Sequence, residues 1–568
     1  MKAPMKIPYG ESSFKKIRTG NYLYIDKTSY IATLEEEGCF NILLRPRRFG
    51  KSLFLSTLWH YYDIRFKDAF EDLFAGLAIG NNPTPLRNSY QVLFMEFSGI
   101  SDADNNSIEQ GFLFEVHRRL RIFLEDYQYP DKEIRRLEAA TLASPASLMK
   151  LFFEIIRNQK IYLMIDEYDH FANSLLGSSS ERFQKIIGRG GFVRSFYETI
   201  KTATMEGIVD RFFITGVTSI TLDSLTSGFN IGDNITHHQR FNQTIGFTHE
   251  EVATTVQPLV EACDLEQQQL MRELSRWYNG YRFSTRAEER LFNADMILYF
   301  IKKFDIKSCR YPEQMLDDNI ASDYRKIMQL FGIGDRAANF EILEELLTTG
   351  EVVGHHSRKL DVEKKFDRND FLGLLLYMGF ITITGTMLNE IRYTIPNYVI
   401  QKLYYEYFRI EIERHSQIIV DNRLLTEAVK QLALHNKIAP LTEEINRALA
   451  LFSNRDFMKM DEKHLKVVIL TLLYQSEIYF IRSEPEMNRC YPDIMLLERN
   501  PFQVEHQFLF ELKYSKKKDG KEGRKEKREQ GIRQIKEYLE LDEVRRLPKL
   551  RSYLLLTDGS EMEAIAVA

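Results

Sequence analysis

An unbroken apolar run, FNILL (residues 40–44), passes directly into RPRRFGKS and then into the mostly apolar LFLSTLWHYY. A short buried strand, a loop ending in Gly-Lys-Ser and a helix, in that order, can be laid down in few ways. The strand must deliver its C-terminal end to a loop whose backbone amides, together with a helix N-terminus, can wrap phosphate. Further short apolar runs follow: QVLFMEF (91–97), IYLMI (161–165) and RFFITG (211–216). Between them lie longer segments with apolar residues at helical spacing, such as SIEQGFLFEVHRRLRIFLEDY. Strands alternating with helices predict a mostly parallel sheet covered by helices, an α/β fold.

The loop departs from the usual G-x-x-x-x-G-K-[ST] in one place: Arg45 stands where the first glycine is expected. A non-glycine residue held at positive φ costs roughly 1–2 kcal/mol. The loop is therefore expected to open in an ordinary conformation, with Pro46 fixing the next φ. The candidate nucleotide ligands are Arg45, Pro46, Arg47, Arg48, Phe49, Gly50, Lys51 and Ser52. Lys51 would reach the terminal phosphates of ATP and Ser52 would hold magnesium. Arg47 and Arg48 either contact phosphate or face solvent.

The segment KIYLMIDEYDHF supplies the other half of such a site. A buried strand ending in Asp166 and Glu167 delivers one carboxylate to the magnesium shell and a second that can polarise the attacking water. Thr215, in RFFITGVTSIT, is either a sensor of the γ-phosphate or a satisfied core threonine. Arg240 and Arg282 are candidate charge-stabilising arginines.

At 568 residues the chain exceeds what one core serves, and 44% hydrophobic residues supply several. A formal charge of −5 leaves any nucleic-acid contact to a local basic patch. Cys39, Cys263, Cys309 and Cys490 show no metal-ligand spacing, arguing against a disulfide framework and structural zinc. The N-terminus lacks the apolar core of a signal peptide, and no run approaches the length that spans a bilayer. A cytoplasmic protein without a membrane partner is expected.

Four regions are expected: a nucleotide-binding domain (1–247), a helical lid and linker (248–360), a middle (361–440) and a C-terminal α/β domain (441–568). Thr248 and Glu251 form a capping-box pattern opening the lid, and Gly280 can close a helix. In the middle, NDFLGLLLYMG followed by FITITG and IRYTIPN reads as a helix with a hairpin, either winged-helix-like or a plain helical linker. In the last region EIYFIRSE, YPDIMLLE and QFLFELKY read as strands, followed by a charged helix (524–541) and the strands SYLLLTD and EAIAV.

The stretches IPYGESSFKKIRTGNYLYIDKTSYI, NILLRPRRFGKSLFLSTL, YLMIDEYD, FFITGVTSI and WYNGYRF together resemble the bacterial AAA-ATPase-like family over roughly residues 5–290. That resemblance implies a P-loop NTPase sheet, an Arg-Pro opening of the loop as a family habit, and Asp26 and Lys27 near the nucleotide pocket.

In the C-terminal domain Asp493 of YPDIMLLE precedes Glu511 and Lys513 of FLFELKY. On neighbouring strands the two carboxylates converge on one or two magnesium ions, and alternation places Lys513 on the face of Glu511. Such a set can activate water, stabilise phosphodiester displacement and steady the developing charge. The pattern resembles the PD-(D/E)xK nuclease superfamily over about 440–568, with Glu462, Gln534 and Tyr538 as supporting positions. From Lys513 to Arg528 nine Lys/Arg stand against three Asp/Glu, a local excess of +6. This segment either follows a nucleic-acid backbone or is a solvated loop.

The sequence thus reads as an ATP-binding and ATP-hydrolysing protein coupled to a metal-dependent nuclease acting on nucleic acid, DNA first. The rival is a nucleotide-controlled switch with a binding domain that does not cut. A homo-oligomer, in which a neighbour supplies an arginine, is compatible with either.

Overall fold

The computed structural model describes residues 6–100, 105–140, 144–170, 186, 191–220, 229–317, 330–355, 366–416, 421–452, 461–487, 490–516, 519–559 and 561–568. The chain divides into two compact units: Met1–Lys303 with Leu316–Ile342 and Glu351–Tyr398, and Phe304–Met315 with Leu343–Gly350 and Val399–Ala568. Among the described residues no helix is long and apolar enough to cross a membrane.

The first unit is built on five parallel strands: β1 (Phe40–Leu44), β2 (Gln91–Glu96), β3 (Ile161–Asp166), β4 (Val209–Gly216) and β5 (Asp233–Asn234). Their order is β2-β3-β4-β1-β5. All six residues of β3 are buried, as expected of a parallel strand covered on both faces, which is why these strands read as continuous apolar runs. Because the strands are parallel, β1 and β3 deliver Leu44 and Asp166 to the same edge, where an open α/β sheet places its ligands.

Helix α1 (Lys51–Tyr62) begins at that edge, and α2 (Asn105–Asp126) and α3 (Phe192–Met205) are further helices of the unit. The expected lid opens with α4 (His249–Cys263), whose capping box is formed. Glu251 N–H donates to Thr248 Oγ1 at 3.2 Å, and Thr248 N–H donates to Glu251 Oε2 at 2.8 Å. A second lid helix, α5, covers Gln267–Tyr278.

The region expected as a helix with a hairpin contains α6 (Arg368–Met378) followed by β7 (Thr382–Met387) and β8 (Glu390–Thr394). A third strand, β6 (Glu351–Gly354), pairs antiparallel with the edge of β8 away from β7 and was not foreseen. These strands belong to the same compact unit as the parallel sheet. The expected boundary at 440 falls inside the helix Ala439–Phe452.

The second unit carries a mixed sheet of β9 (Tyr479–Ser483), β10 (Ile494–Glu498), β11 (Gln507–Tyr514), β12 (Leu550–Thr557) and β13 (Met562–Val567), ordered β13-β12-β11-β10-β9. Only β11 and β12 run parallel, and α8 (Gly520–Leu539) makes the crossover between them. Helix α7 (Glu462–Leu473) precedes β9, with Asp461 accepting from Lys463 and His464 N–H as its cap. Helix α8 lies close on the sheet at Gly531. A Cβ there would stand 2.4 Å from Leu554 Cδ1 and 3.2 Å from Lys513 Cγ. The core beneath joins Met495, Leu509, Ile535 and Leu554. The α/β class, with a parallel sheet in the N-terminal part and a mixed sheet at the C-terminal end, is that expected.

Candidate nucleotide and metal sites

The loop after β1 turns on two left-handed residues, Arg48 (φ 63°) and Gly50 (φ 104°); Arg45 is not one of them. Gly50 is the N-cap of α1, makes no side-chain cap bond, and the first turn holds no acid. The helix N-terminus therefore presents its amides and its positive dipole end uncompensated by any side chain. Beside it lies a cavity of about 540 Å³ whose lining includes Arg47, Arg48, Gly50, Lys51, Ser52 and Glu167.

Lys51 is buried, and its ammonium donates to the carbonyls of Arg45 (3.0 Å) and Pro46 (2.9 Å). Burial pulls its pKa down, against the opposing pull of Glu167 and Asp166. Burial pushes the Asp166 carboxyl up to about 6, offset in part by a hydrogen bond from Ser52 and the charge of Lys51. Glu167 adopts φ 48° and has its pKa lowered, first by a hydrogen bond from His170, whose Nδ1 lies 3.2 Å from Oε2. Lys51, Ser52, Asp166 and Glu167 thus lie together at one edge of the sheet.

Other expected ligands are placed differently. The Arg45 side chain is fully buried, 0% exposed, and donates to the carbonyls of Leu44, Thr236 and Phe241 at 2.8–2.9 Å. Its guanidinium carbon sits 4.2 Å from the centre of the Phe283 ring. It ties the base of the loop to residues 236–241, leaving only its backbone carbonyl, which receives Lys51, in the nucleotide site. Pro46 packs against Gly379, whereas Phe49 does line the cavity while its ring stands edge-on to Tyr281 and Phe283 at 4.9 and 5.6 Å. The Thr215 hydroxyl donates to Leu43 O at 2.8 Å within the sheet, the arrangement of a satisfied core threonine. Lys27 lines the cavity and pairs with Glu251 at 2.7 Å, whereas Asp26 accepts from Thr28 and from Ala78 N–H. Arg240 pairs with Glu36 and Glu37, Arg282 donates to Ala287 O, and neither lines the cavity.

In the second unit the β10–β11 register pairs Ile494 with Phe510, which sets Asp493 opposite Glu511 at the end of the ladder. Directly opposed residues of an antiparallel pair share a face. Asp493 Oδ2 accepts from Leu512 N–H at 2.8 Å. Lys513 Nζ donates to Glu511 Oε1 at 2.7 Å and to Leu512 O at 2.9 Å, and lies 3.5 Å from Glu462 Oε1. Glu462 Oε2 accepts from Tyr514 N–H, fixing that carboxylate at the rim. Glu511 is 2% exposed, and its Oε2 finds no hydrogen-bond partner. Burial and then the charge of Asp493 push the Glu511 carboxyl up, and burial also raises Asp493. Tyr538 is buried and raised by burial and then by Glu511, while the Gln534 Oε1 is buried without a partner.

Two groups escaped the sequence. His170 holds Glu167 from three residues on. Lys466, buried on α7, touches Glu484 and pulls Asp493 toward its ionised form. Of the basic run, Arg524 and Arg528 pair with Glu563, and residues 517–518 lie outside the described set.

Both sites suit divalent cations, by different observations. Asp166 and Ser52 are already hydrogen-bonded beside an uncapped helix N-terminus. Asp493 and Glu511 repel one another around an oxygen that lacks a donor. Among the described residues no group of three or more His, Cys, Asp or Glu side chains forms a ready metal cluster, so any ion would complete its shell with water or phosphate oxygens.

Comparison with known proteins finds matches in both units of the chain. An uncharacterized protein in the vnfD 5' region of Azotobacter chroococcum mcd 1 is 30% identical over 305 residues, 52% of this chain and 52% of that protein. The chain thus spans about half the length of the curated relative it matches. No solved structure matches. Residues 8–226 match the model of the predicted AAA-ATPase family, and residues 460–565 match that of the PD-(D/E)XK nuclease superfamily. The chain therefore carries an AAA-ATPase-like domain followed by a PD-(D/E)XK nuclease superfamily domain.

Proposed function

We propose that this protein binds and hydrolyses ATP at the Lys51 site and cuts nucleic-acid phosphodiesters, DNA first, at the Asp493 site, with magnesium at both. The observation that carries the reading is Glu511, whose buried second oxygen has no donor while Asp493 opposes it across the ladder. An acid pair so placed is costly without a cation.

A divalent ion held by Asp493 and Glu511 would polarise a water and offset charge on the phosphate. Lys513, gripped by Glu511 and the Leu512 carbonyl, keeps an ammonium beside the reacting phosphate and steadies charge as it develops. Glu462, 3.5 Å from the Lys513 ammonium, holds its orientation.

At the other site the amides of the Gly50–Ser52 turn would receive the phosphates, Ser52 and Asp166 would hold a magnesium ion that offsets phosphate charge, and Glu167 would accept the proton of the attacking water. Lys51 exchanges its loop carbonyls for phosphate oxygens. The same carbonyl bonds favour the rival reading of a nucleotide-controlled switch in which nucleotide binding alone moves the loop. ATP state would then gate access of nucleic acid to the second site.

The test is purified full-length protein with magnesium or manganese, with and without ATP, on labelled single- and double-stranded DNA and RNA, beside Asp493→Ala and Lys51→Ala. Metal-dependent product that disappears in Asp493→Ala supports the reading. Identical product from wild type and Asp493→Ala removes it.

A further inference from the structure

Helix α8 has two flanks, and its packing settles which way each faces. It lies over β11, β12 and β13 and comes closest at Gly531, against Leu554 of β12 and the stem of Lys513 on β11. Arg524 and Arg528 reach Glu563 of β13 at 3.3 and 3.7 Å, so the flank they share faces that strand. At about 100° per residue, Lys527 and Gln534 fall on the other side of the Gly531 contact, toward β11 and the acid pair. Lys527 stands one turn before Gly531, about 6 Å along the axis from the contact with Lys513.

Lys527 also differs from its neighbours in charge. The positions one turn away, Gly523, Arg524, Gln530 and Gly531, hold no acid, while Glu526 and Glu529 are exposed on the far side of the helix. Lys525, by contrast, has Glu522 and Glu529 at helical spacing, and Arg533 has Glu529 and Glu537. Among the described residues Lys527 makes no ion pair, and its ammonium donates to Gln530 Oε1 at 3.3 Å. The acids around this helix are engaged elsewhere. Glu563 takes the two arginines, Glu511 and Glu462 face Lys513, Asp493 accepts from Leu512 N–H and Asp519 from Lys516 N–H. Lys527 is thus a partly buried cation on the flank of the acid pair, with no carboxylate of its own.

We propose that Lys527 holds a phosphate next to the one that is cut, so that the nucleic-acid strand runs along the flank of α8 that carries Lys527 and Gln534. This rests on the nuclease-like reading of the Asp493 site, but it makes a claim about strand binding that does not need turnover.

The probe is fluorescein-labelled single- and double-stranded DNA and RNA, bound in EDTA by nucleotide-free full-length Asp493→Asn, which keeps the strand uncut, and followed by anisotropy across a salt series. Lys527→Gln should weaken binding roughly fivefold at low salt and lower the slope of log affinity against log salt by about one, alike for every sequence. Lys527→Arg should restore both. Lys525→Gln, on the other flank, should change neither.

An unchanged slope in folded Lys527→Gln overturns the inference, and so does an equal fall in Lys525→Gln, which would mark a diffuse basic surface. Cleavage by the wild type beside a slope that ignores Lys527 overturns this contact and leaves the cutting reading standing. A Lys527-dependent slope in a chain that cuts no nucleic acid overturns the cutting reading while the strand path stands.

Discussion

The two sites are opposites in charge. At the nucleotide site the central lysine is satisfied before any ligand arrives, by carbonyls of its own loop, and the open valence is a set of helix amides. At the C-terminal site the lysine is equally well held, but a buried carboxylate oxygen is left without a donor. The first suits an anion and the second suits a cation. In each case the uncompensated group indicates the class of ligand, which a list of conserved-looking letters does not.

The sharpest break of that contrast is at the acid pair. Asp493→Ala should lower any cleavage by about a thousandfold or more, measured as initial rates on labelled DNA, without touching ATP hydrolysis. Next, Glu167→Gln should lower ATP hydrolysis by roughly 100- to 1,000-fold while nucleotide affinity is retained, read by phosphate release and by fluorescent-nucleotide binding. Equal loss of affinity would mean that Glu167 serves binding instead of proton transfer.

Smaller effects sharpen the comparison. Arg45→Met removes a cation from three buried carbonyls and should cost about 3 kcal/mol of stability, seen in denaturant unfolding, as expected of a strut and not of a phosphate ligand.

The acid pair should also mark the stability of the metal-free protein. The Glu511 carboxyl, pushed up to about 8, binds its proton more tightly when folded than when unfolded. Its contribution is therefore fully present below the ordinary carboxylate range and is lost as pH rises through that folded value. The Tm of metal-free protein should fall by a few degrees over this window, and Glu511→Gln or added magnesium should flatten the fall. Smallest of all, Thr215→Val should cost only about 1 kcal/mol and leave nucleotide affinity unchanged. A large loss of affinity would restore Thr215 as a phosphate sensor.

The strands of both sheets were legible because buried strands are short apolar runs with punctuated ends, as in β3 and β11. Glu511 and Lys513 could be placed on one face because strand alternation is local. The two residues of β5 and the four of β6 are too short for a periodic signal. The role of Arg45 was misjudged for a different reason: its acceptors Thr236 and Phe241 lie nearly 200 residues away, and no local pattern reports a contact of that span. Lys466 escaped likewise, since its place beside Asp493 depends on how α7 meets the sheet and not on its neighbours in sequence.

The central claim is that Asp493 and Glu511 take up a divalent cation at the cost of a proton. Isothermal calorimetry of Mn²⁺ binding in buffers of different ionisation enthalpy, near neutral pH, measures it directly. The account predicts proton release on binding that disappears in Glu511→Gln. Binding without proton release, or release unaltered by that substitution, would contradict it.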